Sequence, residues 1–160
     1  MNGIVGDISN LPRQYRCYIL FIPNEMQLNG TAEQYLMRHF WEVASSVGND
    51  VLFSGIVRGR GLVEARTKFG LSELVSSALL VFDVCPSDWV ETQDPLVTIP
   101  LAGLKSEYDV FELLHLLVTV TKRENFIGRL KRKQTFDKAK ELLQYLPTIG
   151  DMIKYAVPGA

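Results

Sequence analysis

The apolar residues of this chain fall into short unbroken runs, and between the runs the spacing changes to that of amphipathic helices. Tyr18–Ile22 (YILFI), Val51–Val57 (VLFSGIV) and Leu79–Val84 (LLVFDV) are rich in β-branched and aromatic residues and are bounded by Pro or Gly. Continuous apolarity over five to seven residues predicts strands covered on both faces. A fourth run, Leu96–Leu101 (LVTIPL), follows Asp94-Pro95, and its Pro100 removes a ladder donor, which predicts an edge strand. Between the first two runs, Leu36, Phe40, Val43 and Val47 recur at helical spacing, predicting one helix over 31–47. Asn29-Gly30 precedes that segment, Thr31 and Gln34 suggest a capping box, and Gly48-Asn49 ends it. A short helix is predicted over Gly61–Lys68, closed by Phe69-Gly70. Another is predicted from Ser106, with Val110, Leu113, Leu114, Leu117 and Val118 as its apolar stripe.

Residues 1–15 show no period and read as a lead-in punctuated by Gly3, Gly6, Asn10 and Pro12. Residues 16–121 form an α/β domain by element alternation. Residues 122–160 are different in composition. Segment 122–140 holds eight basic residues against Glu124 and Asp137, a local balance of +6, so with a net charge of −1 the remainder sums to −7. Phe136, Ala139, Leu142, Leu143 and Leu146 make one amphipathic stripe before Pro147, and Ile149, Met152, Ile153, Ala156 and Val157 make another. Two short helices joined at Pro147 are predicted as a C-terminal extension.

The order β-α-β-α-β-β-α resembles the thioredoxin-like fold. Phe69-Gly70-Leu71 leading into Ala78–Phe82 resembles the turn and strand of that superfamily, and Leu96–Leu104 running into the Ser106 helix resembles its last strand and closing helix. The resemblance covers about residues 16–121 and rests on apolarity and turns. It implies two cysteines where the first strand meets the first helix, yet Pro23–Gln34 (PNEMQLNGTAEQ) holds none. It also implies a cis-proline before the third strand, where Ser77 stands. A divergent, redox-inactive member is therefore expected.

Hydrophobic residues are 47% and charged residues 22% of the 160, which fits a globular domain and excludes a disordered chain. No stretch approaches the roughly 18 apolar residues of a membrane span, and the start has no apolar core behind a basic end. A cytoplasmic location is expected. Cys17, His39, Cys85 and His115 show no metal-ligand spacing, so no metal or cofactor is expected. The two cysteines read as small buried hydrophobes near opposite ends of a parallel arrangement. Neither histidine has a carboxylate or nucleophile assignable within reach, so no catalytic residue is assigned.

Two functional classes follow. The first is an interaction or assembly module that docks a protein partner, a second copy of itself or a further domain of a longer chain. Its contact residues would be Trp89, Lys122, Arg123, Arg129, Lys131, Arg132, Lys133, Leu143, Leu146, Ile149, Met152 and Ile153. Nucleic acid and anionic membrane are secondary partners for 122–140. The second is a Rossmann-like or TIR-like nucleotide-binding domain or enzyme using strand-end loops around Arg58, Arg60, Glu64, Asp83 and Asp88. A one-cysteine chemistry at Cys17 or Cys85 is a third expectation. The first two part at one point: a short connection would leave the Leu96 strand antiparallel to the Leu79 strand, whereas a doubly wound sheet needs a helix between them.

Overall fold

The computed structural model describes residues 3–24, 30–72, 77–102 and 104–121. Its strands are β1 (Cys17–Ile22), β2 (Val51–Gly55), β3 (Ala78–Phe82) and β4 (Val97–Pro100). Its helices are α1 (Thr31–Arg38), α2 (Phe40–Ser46), α3 (Gly59–Lys68) and α4 (Glu107–Thr121), with a 3-10 turn at Ile8–Asn10. One mixed sheet has the order β2-β1-β3-β4. β1 and β2 run parallel, with Cys17 opposite Val51 and Phe21 opposite Gly55. β3 is antiparallel to β1, with Tyr18 opposite Phe82, and β4 is antiparallel to β3, with Ala78 opposite Pro100.

Every strand residue is buried, which is why the runs are continuous rather than alternating. The period of two sorts each strand between two apolar layers. Cys17, Ile19, Phe21, Phe53, Leu79 and Val81 face a layer built from α1, α2 and α4. Tyr18, Leu20, Ile22, Leu52, Leu80 and Phe82 face Leu62 and Ala65 of α3, together with Leu11, Phe69 and Leu71. Pro100 lies on β4, an edge strand, as its missing N–H requires.

The helices differ from expectation in three ways. Segment 31–47 is two helices broken at His39, not one. A straight helix of that length would run about 25 Å, longer than a five- or six-residue strand of about 17–20 Å. The break lets Ala32 and Leu36, then Phe40, Val43 and Ala44, all land on the sheet. The N-cap is Gly30, in extended conformation and without a side-chain capping bond, so the residue three positions into the helix is Glu33 and no Thr31–Gln34 box forms. α3 begins at Gly59, two residues early, and ends where Gly70 takes a φ of 72°, a conformation that favours glycine. For α4 the Ser106 hydroxyl accepts from Asp109 N–H at 3.2 Å, capping the helix where the serine predicted it.

The lead-in is part of the fold. Ile4 bridges Gly55 on the outer edge of β2, Val5 N–H donates to the Gly55 carbonyl at 2.9 Å, and the Ser54 hydroxyl donates to the Gly3 carbonyl. Tyr18 holds the end of this segment by donating its phenol to the Pro12 carbonyl at 2.7 Å. Unpaired strand edges invite association, and this segment covers part of one. Residues 122–160, with the predicted helical extension, lie outside the described residues. No helix among the described residues is long and apolar enough to cross a membrane.

Candidate functional site

The antiparallel β3 changes where the chemistry sits. Residues following β3 return to the end of the sheet at which β1 begins. Cys17 and Cys85 therefore lie at the same end, not at opposite ends as a parallel arrangement implied. They face different layers, Cys17 toward α1, α2 and α4 and Cys85 toward α3. Both thiols are free and buried. Burial pushes the Cys17 thiol far up from its ordinary range, which outweighs the opposing charge of Arg16. Cys85 Sγ lies 3.1 Å from the Ser87 hydroxyl and near the Leu11 and Pro12 carbonyls.

The other end of the sheet, where β1 leads toward α1, holds Pro23, Asn24 and Ser77. Ser77 is fully buried. Its hydroxyl accepts from Asn24 N–H at 3.0 Å, and its carbonyl accepts from Leu101 N–H at 2.8 Å. Arg66 of α3 donates to the Pro23 carbonyl at 3.4 Å and to the Leu71 carbonyl at 2.8 Å. Among the described residues no peptide bond is cis. A serine hydroxyl thus ties the β1 exit to the β3 entrance, and no thiol is near it.

The five strand-end residues of the nucleotide-binding reading do not converge. Arg58, Arg60 and Glu64 belong to the start of α3, beyond the C-terminal end of β2. Asp83 and Asp88 follow β3 and so lie at the opposite end of the sheet. Arg60 pairs with Glu64 at 3.2 Å and Asp88 pairs with Arg13 at 3.0 Å, both on the surface. The first turn of α3 is also occupied: Gly61 abuts the Gly6 carbonyl and Asp7. Residues 83–96 join β3 to β4 without a helix. Among the described residues no three His, Cys, Asp or Glu side chains are grouped for a metal ion.

Trp89 is half-buried and stands edge-on to Phe69 at 5.5 Å and to Phe82 at 6.4 Å, with its indole Nε1 buried and unpaired. It caps the α3-side core. The remaining contact residues of the interaction reading, Lys122, Arg123, Arg129, Lys131, Arg132, Lys133, Leu143, Leu146, Ile149, Met152 and Ile153, lie outside the described residues.

One concave feature was not foreseen. A groove of about 360 Å³ runs between α1–α2 and α4. Its floor is Val43, Leu114 and Val118, and each wall carries one of the two histidines of the chain. On one wall Tyr35 lies 4.5 Å from the His39 ring, and His39 Nδ1 is 3.1 Å from Glu42 Oε2, a carboxylate partner that sequence inspection did not assign. On the other, Phe111 stacks on His115 at 6.2 Å and an interplanar angle of 17°. Arg38 of α1 and Glu107 of α4 form a 3.0 Å ion pair between the two walls. Tyr108 and Phe111 leave 69% and 51% of their surfaces exposed along α4, a large apolar exposure for a helix whose other stripe is buried. The helical spacing of 35, 39, 42 and 46, and of 111, 115 and 119, was a readable signal for two stripes. What sequence does not display is that the stripes face each other.

Comparisons with protein-family models, with curated proteins and with solved structures returned no match for this chain.

Proposed function

We propose that this chain is a redox-inactive, thioredoxin-like interaction module that binds a protein partner through its C-terminal tail. The sheet order β2-β1-β3-β4, with β1 and β2 parallel and β3 antiparallel to both its neighbours, supports the thioredoxin-like topology. The observation that carries the redox-inactive reading is the placement of the thiols. Both are buried at the end of the sheet away from the β1 exit, where a helix N-terminus would otherwise lower a thiol pKa. Where cysteine chemistry would sit, Asn24 and Ser77 share a hydrogen bond instead. Two free cysteines on different faces of one sheet also fit a reducing, cytoplasmic setting.

The interaction reading draws on the tail's +6 segment and its two apolar stripes, which ask for cover, and on a helical layer that presents a groove. The test is proximity labelling of bound proteins by the full chain against two full-length variants, Leu143→Asp with Met152→Asp, and Lys131→Glu with Arg132→Glu and Lys133→Glu. A partner that requires the apolar stripe, the basic segment or both is expected. A partner set identical across all three chains refutes the tail's role. Reduction of a small disulfide by the folded chain refutes the redox-inactive reading.

A further inference from the structure

We infer that, in the absence of a partner, the groove between α1–α2 and α4 is the resting place of this chain's own tail stripe, Phe136 to Leu146. This rests on the interaction-module reading for the tail's importance and assigns the tail a second, intramolecular partner. Three observations carry it. The first is shape and chemistry: the groove has an apolar floor of Val43, Leu114 and Val118 under aromatic walls. A groove of that kind takes an amphipathic helix with anchors three and four apart, the spacing of Phe136, Ala139, Leu142, Leu143 and Leu146.

The second is connectivity. Val118 and Thr119 line the groove, and the undescribed residues begin three positions after Thr119. The α4 wall from Phe111 to Thr119 is about 12 Å long. The 14 residues between Thr121 and Phe136 reach up to about 46 Å when extended, so a return along the groove in either direction is within reach. A segment tethered so closely has an effective concentration in the millimolar range, which a separate molecule must exceed.

The third is charge. Residues 1–121 carry 8 basic and 14 acidic side chains, a balance of −6, while residues 122–160 carry 9 and 4, a balance of +5. Glu42 lines the groove, and Arg38 of α1 is already paired with Glu107 of α4. Attraction of a basic tail to this face follows, and salt should weaken it.

The two histidines make the test direct, because they supply one ring signal from each wall. A nitroxide is attached to the full chain through Gln144→Cys, the native thiols being buried and slow to label. The expected result is loss of most of the His39 and His115 ring-proton intensity at low protein concentration, with a monomer mass in solution and recovery at high salt. Intensity unchanged for both rings overturns the inference. Broadening confined to a dimer and lost on dilution also overturns it, in favour of a second copy's tail. The same label in Leu142→Asp with Leu146→Asp should restore the signals, and broadening that persists there overturns a stripe-specific site. If the tail is absent from the groove while partner capture still depends on it, only this inference falls. If the thiol or partner tests fail while the broadening holds, only the proposed function falls.

Discussion

Gly61→Ala should destabilise this protein even though alanine is the better helix former. Position 61 lies in the first turns of α3, where replacing glycine by alanine ordinarily favours folding by about 1 kcal/mol. Here the added methyl would overlap the Gly6 carbonyl oxygen and stand 2.9 Å from Asp7 Cβ and from the Gly6 carbonyl carbon. Carbon atoms at rest are about 3.5–4.0 Å apart, so the lead-in must withdraw by roughly 0.6–1 Å or more. Overpacking of this kind costs about 1–3 kcal/mol, and contact with main chain on the far side puts this site near the top of that range. Withdrawal also strains the Val5–Gly55 hydrogen bond and the buried bond from Ser54 to the Gly3 carbonyl. A net loss of about 2 kcal/mol is expected, or roughly 4–8 °C in melting temperature for a chain of this size. Urea unfolding followed by circular dichroism measures it. The control is a chain beginning at Leu11, which has no residue 6 or 7 to meet; there the same substitution should stabilise by about 1 kcal/mol. Gly61→Ala raising the midpoint equally in both chains would falsify the packing of the lead-in against α3.

Three further outcomes are expected. Burial raises the Tyr18 phenol to about 12 from 10.0; the unfolded phenol loses its proton first, so stability falls as pH rises from 10 to 12 by about 2–3 kcal/mol, and Tyr18→Phe should flatten that limb while costing about 1 kcal/mol at neutral pH. Ultraviolet titration of the native protein checks it, and a phenol set titrating uniformly near 10 contradicts it. Both cysteines should resist a thiol reagent at pH 8 on the folded chain and react at the rate of unfolding, since Cys17 is held protonated by burial; a fast-reacting equivalent counts against it. Arg16→Met should return the Asp50 carboxyl from its lowered value to the usual carboxylate range, because the hydrogen bond from Arg16 is the main cause of the shift. Asp50 then no longer contributes stability that is present above the unfolded carboxyl pKa and lost as pH falls, and the carboxyl carbon shift against pH reads the change.

How far the sequence reached depended on whether a feature was local. Four strands were legible because both faces of each are covered, so the apolar runs need no knowledge of their neighbours. The two prolines in 86–95 excluded a helix there, which made the antiparallel β4 readable as well. Direction across the sheet was not readable for the cysteines, since it depends on β3 reversing against β1. The break at His39 was hidden because neither proline nor glycine marks it; sheet dimensions set it. Gly61 was readable as a helix start, but its need for glycine comes from Gly6, 55 positions earlier. Trp89 in its polar loop was readable either as a contact residue or as a cap on the core, and its edge-on packing against Phe69 and Phe82 is what places it over the core. The groove required Tyr35 with His39 and Phe111 with His115 to be brought opposite each other, a fact of helix placement alone.

Arg16 joins three parts of the molecule at one guanidinium. It sits just before β1, pairs with Asp50 at the head of β2 at 2.8 Å, and donates to the carbonyl of Thr121, the last described residue of α4. The described end of α4 and the heads of both parallel strands are thereby tied at one side chain, so losing the Arg16 guanidinium would loosen all three together.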